Sequence, residues 1–364
     1  MPESDPFQHV ERRPHTDGPF DAAEVRLANR NSGILLETLR HDVTPAGMHY
    51  LLNHFDVPYV PDDSWRVEIG GRVKAPVTLS LDDIKAMPAR TLRVTLECAG
   101  NGRAALKPRY QSMPWVYEAV GTAEWTGTPL RNLLEPVGLL GNVVEVSFHG
   151  ADRGFDRGTE HEFGRSLKPE VALGEDVLVV WAMNGQPLLP QHGYPLRMIV
   201  PGWYGMASVK WLNRIEALDK PYRGYQQVGT YIYRKEIGGA STPVTYMRVK
   251  SLLIPPGVPD FYSRARIADR GRHIVHGRAW SGRGVPITRV EFGVDGAWSD
   301  ARLDEAKGRY AWRGWSADWE ATPGDHDLAC RATDADGNVQ PLEGPWDVAG
   351  FGNNGVQRVH VKVR

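Results

Sequence analysis

One cysteine at the end of a strand carries the sharpest chemical signal in this chain. In Arg93-Val-Thr-Leu-Glu-Cys98-Ala-Gly-Asn-Gly-Arg103, alternating apolar residues run into Cys98, and a Gly-Asn-Gly turn follows at once. Glycines permit close backbone approach, and Arg103 supplies positive potential; both favour thiolate. Three uses stay open on these residues. Cys98 could be a nucleophile beside one of His54, His149, His161 or His192, a soft metal ligand, or a buried core thiol.

The cysteine count narrows the redox options. Cys98 and Cys330 are the only two, too few for an ordinary iron–sulfur cluster or for zinc held by paired cysteines. No C-x-x-C-H segment exists for a c-type haem. Any redox chemistry here therefore uses a centre held by one thiolate, or no protein metal at all. Three polar segments could wrap an anionic cofactor with amides, Lys, Asp and Arg: Gly150-Ala-Asp152-Arg-Gly154, Gln191-His192-Gly193 and Gly205-Met-Ala-Ser208-Val209-Lys210-Trp211. Arg197, just before Met-Ile-Val, requires a buried anionic partner.

The elements that must position these residues change character near residue 240, and the expected boundary divides 1–240 from 241–364. The first part reads as α+β, with residues 1–20 expected to be poorly ordered. A helix is expected over 20–30 and a strand over Trp65–Ile69 stopping at Gly70-Gly71. Ser80-Leu-Asp-Asp83 has the form of a capping box before Pro88, and Thr128-Pro129 of a cap with a first-turn proline before 130–134. Further strands are expected at 143–148, 177–181 and 196–200, with the polar segments as loops between them. The second part reads as a β-sandwich, with strands at 273–280, 288–294, 309–312, 326–333 and 356–363 and turns at Asp295-Gly296, Pro323-Gly324 and Asp336-Gly337. Cys330 alternates with Leu328 and Ala332, as a core thiol would.

Length and composition agree with two domains. The 364 residues exceed what one core usually serves, and the formal net charge of −1 gives no support to nucleic-acid binding by bulk charge. Arginine outnumbers lysine 33 to 10, which suits fork-like recognition of oxyanions. No apolar run is long enough to span a membrane. Arg12-Arg13 is followed by Pro-His-Thr-Asp, unlike a twin-arginine signal, so the sequence reads as cytoplasmic, or periplasmic if a leader is missing.

Leu96-Glu-Cys98-Ala-Gly-Asn-Gly-Arg103 closely resembles the molybdenum-ligating segment of the sulfite oxidase family of molybdopterin enzymes, which includes the molybdenum domain of plant-type nitrate reductases. Further segments follow in the family's order: Asn53-His54 with Val57-Pro58, Trp181–Leu188, Gln191–Arg197, Val200-Pro-Gly202 and Val209-Lys-Trp211. Ala279-Trp-Ser-Gly282, Trp312-Arg313-Gly-Trp315, Cys330–Asp334 and Asn338–Pro341 resemble its immunoglobulin-like dimerisation domain. The resemblance covers roughly residues 45–364. It implies a mixed α/β molybdopterin-binding domain, an immunoglobulin-like sandwich and a homodimer. It also implies Cys98 as the molybdenum thiolate, and Asn53, His54, Asp152, His192, Arg197, Ser208, Val209 and Lys210 as holders of the pterin and its phosphate. Arg103, Trp115, Tyr222 and Arg313 match positions around the oxyanion site, Arg313 reaching in from the second domain and Tyr222 donating near the metal's oxo group. With no haem or iron–sulfur site encoded, electrons would pass to an external acceptor: a cytochrome, a redox subunit or dioxygen.

This chain departs from the family where its substrate pocket is charged. Leu52 stands where an Arg usually precedes Asn-His, and Gly102 where a second Arg is frequent. Each charge-assisted hydrogen bond lost is worth about 1.5–3 kcal/mol of anion binding. Sulfite oxidation is the leading expectation. The alternatives are oxygen-atom transfer on a sulfoxide, nitrate or chlorate, a non-catalytic molybdopterin-binding subunit, and a hydrolase using Cys98 as nucleophile.

Overall fold

The computed structural model describes residues 15–60 and 64–364. The expectation that 1–20 are poorly ordered falls mostly outside that range. Within it, His15–Thr16 pairs antiparallel with Arg109–Tyr110, and the His15 Nε2–H donates to the Val348 carbonyl at 2.6 Å. Helix Ala22–Arg30 opens with a capping box between Asp21 and Glu24. Glu24 is fully buried against the guanidinium of Arg109, a charge pair that ties this helix to the strand pair.

Two five-stranded sheets form the first part. One runs in the order Gln186–Pro187, Leu178–Met183, Val120–Pro129, Arg90–Glu97, with Arg197–Ile199 also paired to Leu178–Met183. The other runs Val77–Ser80, Arg66–Gly71, Leu212–Leu218, Glu145–Asp156, Thr159–Leu167. Their inner faces supply apolar side chains (Val94, Leu96, Ala123, Trp125, Val146, Phe148, Val179, Ile215) to one large core. The Ser80–Asp83 capping box is present and starts helix Leu81–Lys85.

Three local expectations are corrected. Thr128 does not cap a helix, because strand pairing with Leu178–Met183 continues through Pro129; helix Arg131–Val137 starts later without a side-chain cap. The Thr128 hydroxyl instead donates to the Pro88 carbonyl at 2.9 Å. The segment 150–154 is not a loop but the middle of strand Glu145–Asp156, where the register shifts between His149 and Arg153. Residues 309–312 leave the sandwich, and its strand begins only at Arg313. They do so to pack on the first part: Trp312 is buried with its Nε1–H donating to the Asp42 carbonyl at 3.0 Å, and Tyr310 bridges to Val94.

The second part stacks a four-stranded sheet (Lys250–Leu253, Gly271–Trp280, Arg313–Ala321, Arg302–Leu303) on a six-stranded one (Val258–Pro259, Arg266–Ala268, Gln357–Val363, Gly324–Asp334, Ile287–Val294, Ala297–Asp300). Between them lies a separate core of Val275, Val290, Phe292, Trp315, Leu328 and Cys330, the thiol fully buried. The outer face of the four-stranded sheet carries Leu252 and Trp280 into the first part's core, so the two halves share an apolar seam. Among the described residues, no helix is long and apolar enough to cross a membrane.

Candidate functional site

Strand Arg90–Glu97 ends one residue before Cys98, and this places the thiol where two cavities meet. The outer cavity holds about 560 Å³ and the inner about 60 Å³; Leu52, His54, Cys98 and Tyr231 line both. Burial pushes the Cys98 thiol pKa up, while Arg103, the Gly100 amide and the Trp115 indole N–H pull toward thiolate. Trp115 Nε1 is buried and has no nitrogen or oxygen acceptor. Gly100 lets the Arg103 guanidinium lie close to the loop: a Cβ there would sit 2.5 Å from it and displace it. Among the described residues, no group of three or more His, Cys, Asp or Glu is arranged to hold a metal ion.

The inner cavity is lined by two buried cations, Arg197 and Lys210, and by the carboxylate of Asp152. Arg197 is buried and donates to the carbonyls of His192 (3.0 Å) and Ser208 (3.1 Å), with its guanidinium 4.9 Å from the Trp125 ring centre. Lys210 Nζ donates to the Leu52 carbonyl at 2.9 Å, to the Gln191 carbonyl at 3.0 Å and to Asn53 Oδ1. Neither has a carboxylate within ion-pair distance among the described residues. Burial lowers both pKa values, that of Arg197 to about 10. Asp152 reaches this cavity because the strand bulges at 150–152, and burial lifts its pKa to about 6. Burial also lowers His54 to about 3 and His192 to about 2, neighbouring cations adding to the effect in each, so both imidazoles stay neutral. Ser208 Oγ accepts from the Val200 amide at 3.1 Å and fixes the turn, and Val209 packs in the core behind it.

The outer cavity is lined by Leu27, Phe55, Met113, Trp115, Phe155 and Phe351, and also by Asn53 and Arg103. Arg103 is buried, its Nε donating to the Ala349 carbonyl at 2.9 Å and its Nη1 to the Met113 carbonyl at 3.0 Å. Tyr222 and Arg313 line neither cavity. The Tyr222 ring packs edge-on to His149 at 5.5 Å, and Arg313 donates to the carbonyls of Asp304 and Ile287 within the sandwich. The second part does close the cavity, but with Val348, Ala349 and Phe351.

Tyr231 was not identified from sequence. Its hydroxyl shares a 2.8 Å hydrogen bond with His54 Nε2, and burial raises its pKa, a negative charge on Cys98 adding to the effect. In Thr230-Tyr-Ile-Tyr233 it reads as one more alternating strand residue. His49 and Tyr50, lining the inner cavity, were missed for the same reason.

Comparison with known proteins gives this geometry a family. The profile of the oxidoreductase molybdopterin binding domain matches residues 54–226, and that of the Mo-co oxidoreductase dimerisation domain matches 242–364. Mitochondrial sulfite oxidase of Rattus norvegicus is 30% identical over 386 residues, covering 99% of this chain and 67% of the rat protein. The chain belongs to the sulfite oxidase family of molybdopterin oxidoreductases. Nitrate reductase [NADH] 2 of Phaseolus vulgaris is 31% identical over 378 residues, covering 94% of this chain. The chain spans only 42% of that reductase. The crystal structure of the sulfane dehydrogenase SoxCD from Paracoccus pantotrophus superposes with a TM-score of 0.80 at 25% identity, covering 100% of this chain and 92% of that one. Within this family the residues present fit a molybdopterin. A lone cysteine, an indole donor with no oxygen or nitrogen acceptor beside it, and buried cations held by backbone carbonyls fit a dithiolene metal group with a phosphate tail.

Proposed function

We propose that the chain oxidises sulfite to sulfate at a molybdopterin centre ligated by Cys98, as a homodimer that hands its electrons to an external one-electron acceptor. Atoms and charge balance as sulfite plus water giving sulfate, two protons and two electrons. When bound, the molybdenum centre supplies two-electron oxygen-atom transfer. Cys98 would hold the metal. Asn53, His54, Asp152, His192, Arg197 and Lys210, with the Ser208-Val209 turn, would hold the pterin and its phosphate. Arg103 and the Trp115 N–H line the outer cavity and act on Cys98, and would present positive charge to an approaching oxyanion. Tyr231 and His54 form a linked donor–acceptor pair at the same place and replace Tyr222 in that role. The observation carrying this reading is the position of Cys98, shared by an anion-seeking inner cavity and an open outer one.

A second reading rests on Leu52. It lines both cavities where the family's Arg would stand, and aromatic and aliphatic side chains wall the larger one. Such a pocket suits a neutral or organic oxygen-atom acceptor or donor, for instance a sulfoxide taking two electrons and two protons to give sulfide and water. The deciding experiment is metal analysis of purified protein, followed by sulfite titration against an artificial one-electron acceptor and by sulfoxide or nitrate titration against reduced viologen. About one molybdenum per chain with sulfite turnover supports the first reading. Molybdenum with turnover only in the reductive assay supports the second, and protein loaded in a molybdenum-replete host that binds none would refute both.

A further inference from the structure

We propose that the second domain is the scaffold of the cysteine loop, and that Glu97 and Lys250 are positioning residues that hold Cys98 for its cofactor. The proposal rests on the reading of Cys98 as the cofactor's thiolate. Glu97, the residue before it, is fully buried, and each of its oxygens is claimed from the sandwich. Lys250 Nζ donates to Oε1 at 2.9 Å, both side chains being 1% exposed, and Trp280 Nε1 donates to Oε2 at 2.9 Å. Lys250 and Trp280 are direct cross-strand partners on Lys250–Leu253 and Gly271–Trp280, so one sheet face delivers both donors together. Asn101, on the loop itself, adds the carboxylate's third bond, the second to Oε1, at 3.0 Å.

The rest of the loop is held from the same side. The Gly352 amide donates to the Ala99 carbonyl at 2.7 Å, and Asn353 Nδ2 donates to the Gly102 carbonyl at 2.7 Å. Asn353 in turn accepts from Lys250 Nζ through its own carbonyl at 2.9 Å, and Arg103 donates to Ala349. Four of the residues from 97 to 103 thus bond across the domain seam. A buried ion pair adds little net stability over well-packed apolar side chains, yet removing one partner strands the other charge. Its retention directly behind the cofactor's ligand fits a geometric role: Glu97 cannot shift without breaking contacts to two sandwich strands, so the thiol's position follows that of the second domain.

The test compares Lys250→Met with Arg278→Met. Arg278 also joins the two halves, donating to Asp42, to Leu39 and to Arg40, but it bonds no residue of 97–103. Three quantities are read: thermal stability, molybdenum per chain, and hydrogen exchange of amides 98–103 in cofactor-free protein. Lys250→Met should lower molybdenum content at least about fivefold and speed exchange at 98–103 about tenfold or more. Lys250→Arg should recover most of the metal, and Arg278→Met should lose stability while keeping metal and loop protection. If Lys250→Met does not fold, Glu97→Gln carries the same readouts, because an amide cannot accept at both positions. Unchanged metal and exchange in these variants would overturn the proposal, as would an equal loss in Arg278→Met. The exchange measurement needs no bound cofactor, so wild-type protein that never takes up molybdenum would defeat the functional reading while still testing the scaffold.

Discussion

The Nε2 of His54 and the phenol oxygen of Tyr231 lie 2.8 Å apart at the junction where both cavities reach Cys98. Burial keeps the imidazole neutral and the phenol protonated, so the pair can pass a hydrogen bond to a group seated at the thiol without changing charge. Tyr231→Phe should therefore leave molybdenum content unchanged and lower kcat/KM about tenfold, the equivalent of one hydrogen bond. Steady-state kinetics on metal-normalised enzyme checks this; an equal loss in Tyr222→Phe would place the donor elsewhere.

Cys98→Ser should fold with a near-native melting temperature, since serine fills almost the same volume, and should contain no more than a trace of molybdenum. Inductively coupled plasma analysis alongside circular dichroism reads both at once. A metal-replete serine variant would remove Cys98 from the centre.

Arg197 makes its bonds to carbonyls alone, and a phosphate would be its natural counter-charge. Arg197→Met should shrink the rise in melting temperature on cofactor loading, because binding to the folded state stabilises it in proportion to affinity. Differential scanning calorimetry of loaded and empty protein measures the gap. If the gap is unaltered, the phosphate sits away from Arg197.

Leu52→Arg restores the missing charge, and for a sulfite-oxidising enzyme KM for sulfite should fall about tenfold or more. Arg313→Ala, by contrast, should change KM by less than about twofold. Its guanidinium is spent on two sandwich carbonyls, and hydrogen bonds of that kind act locally.

Buried histidines set a pH dependence for the cofactor-free protein. Burial lowers His49 from 6.5 to about 4, and His54 is lowered to about 3. Between those values and 6.5 the unfolded chain binds protons that the folded one does not. Stability should therefore be fully present above about pH 6.5 and decline as pH falls toward 4. Thermal melts across that range should show the slope, and His49→Gln should flatten it.

Much of this was legible before any coordinates. The Ser80 capping box, four of the five expected sandwich strands and the buried Cys330 follow from local patterns of hydrogen bonding and alternation, which need no distant partner. Asp152 was identified, but as part of a loop. A bulge that re-aims a strand residue depends on the register of its neighbours, and no local pattern encodes that. Arg313 and Tyr222 were carried over by motif, yet the structure spends them elsewhere, while Tyr231, Phe351 and Ala349 take up the space.

The sequence by itself determined the family and the kind of centre, because a lone thiolate before Gly-Asn-Gly and an ordered set of polar segments are written in residue types. Tertiary structure alone decided which side chains meet at that thiol. It also decided that Glu97, an ordinary acidic residue in a strand, is fixed by Lys250 and Trp280 from 153 and 183 positions away. Burial creates that difference: a charge cannot enter a core without polar partners, and those of Glu97 are chosen by how two domains pack.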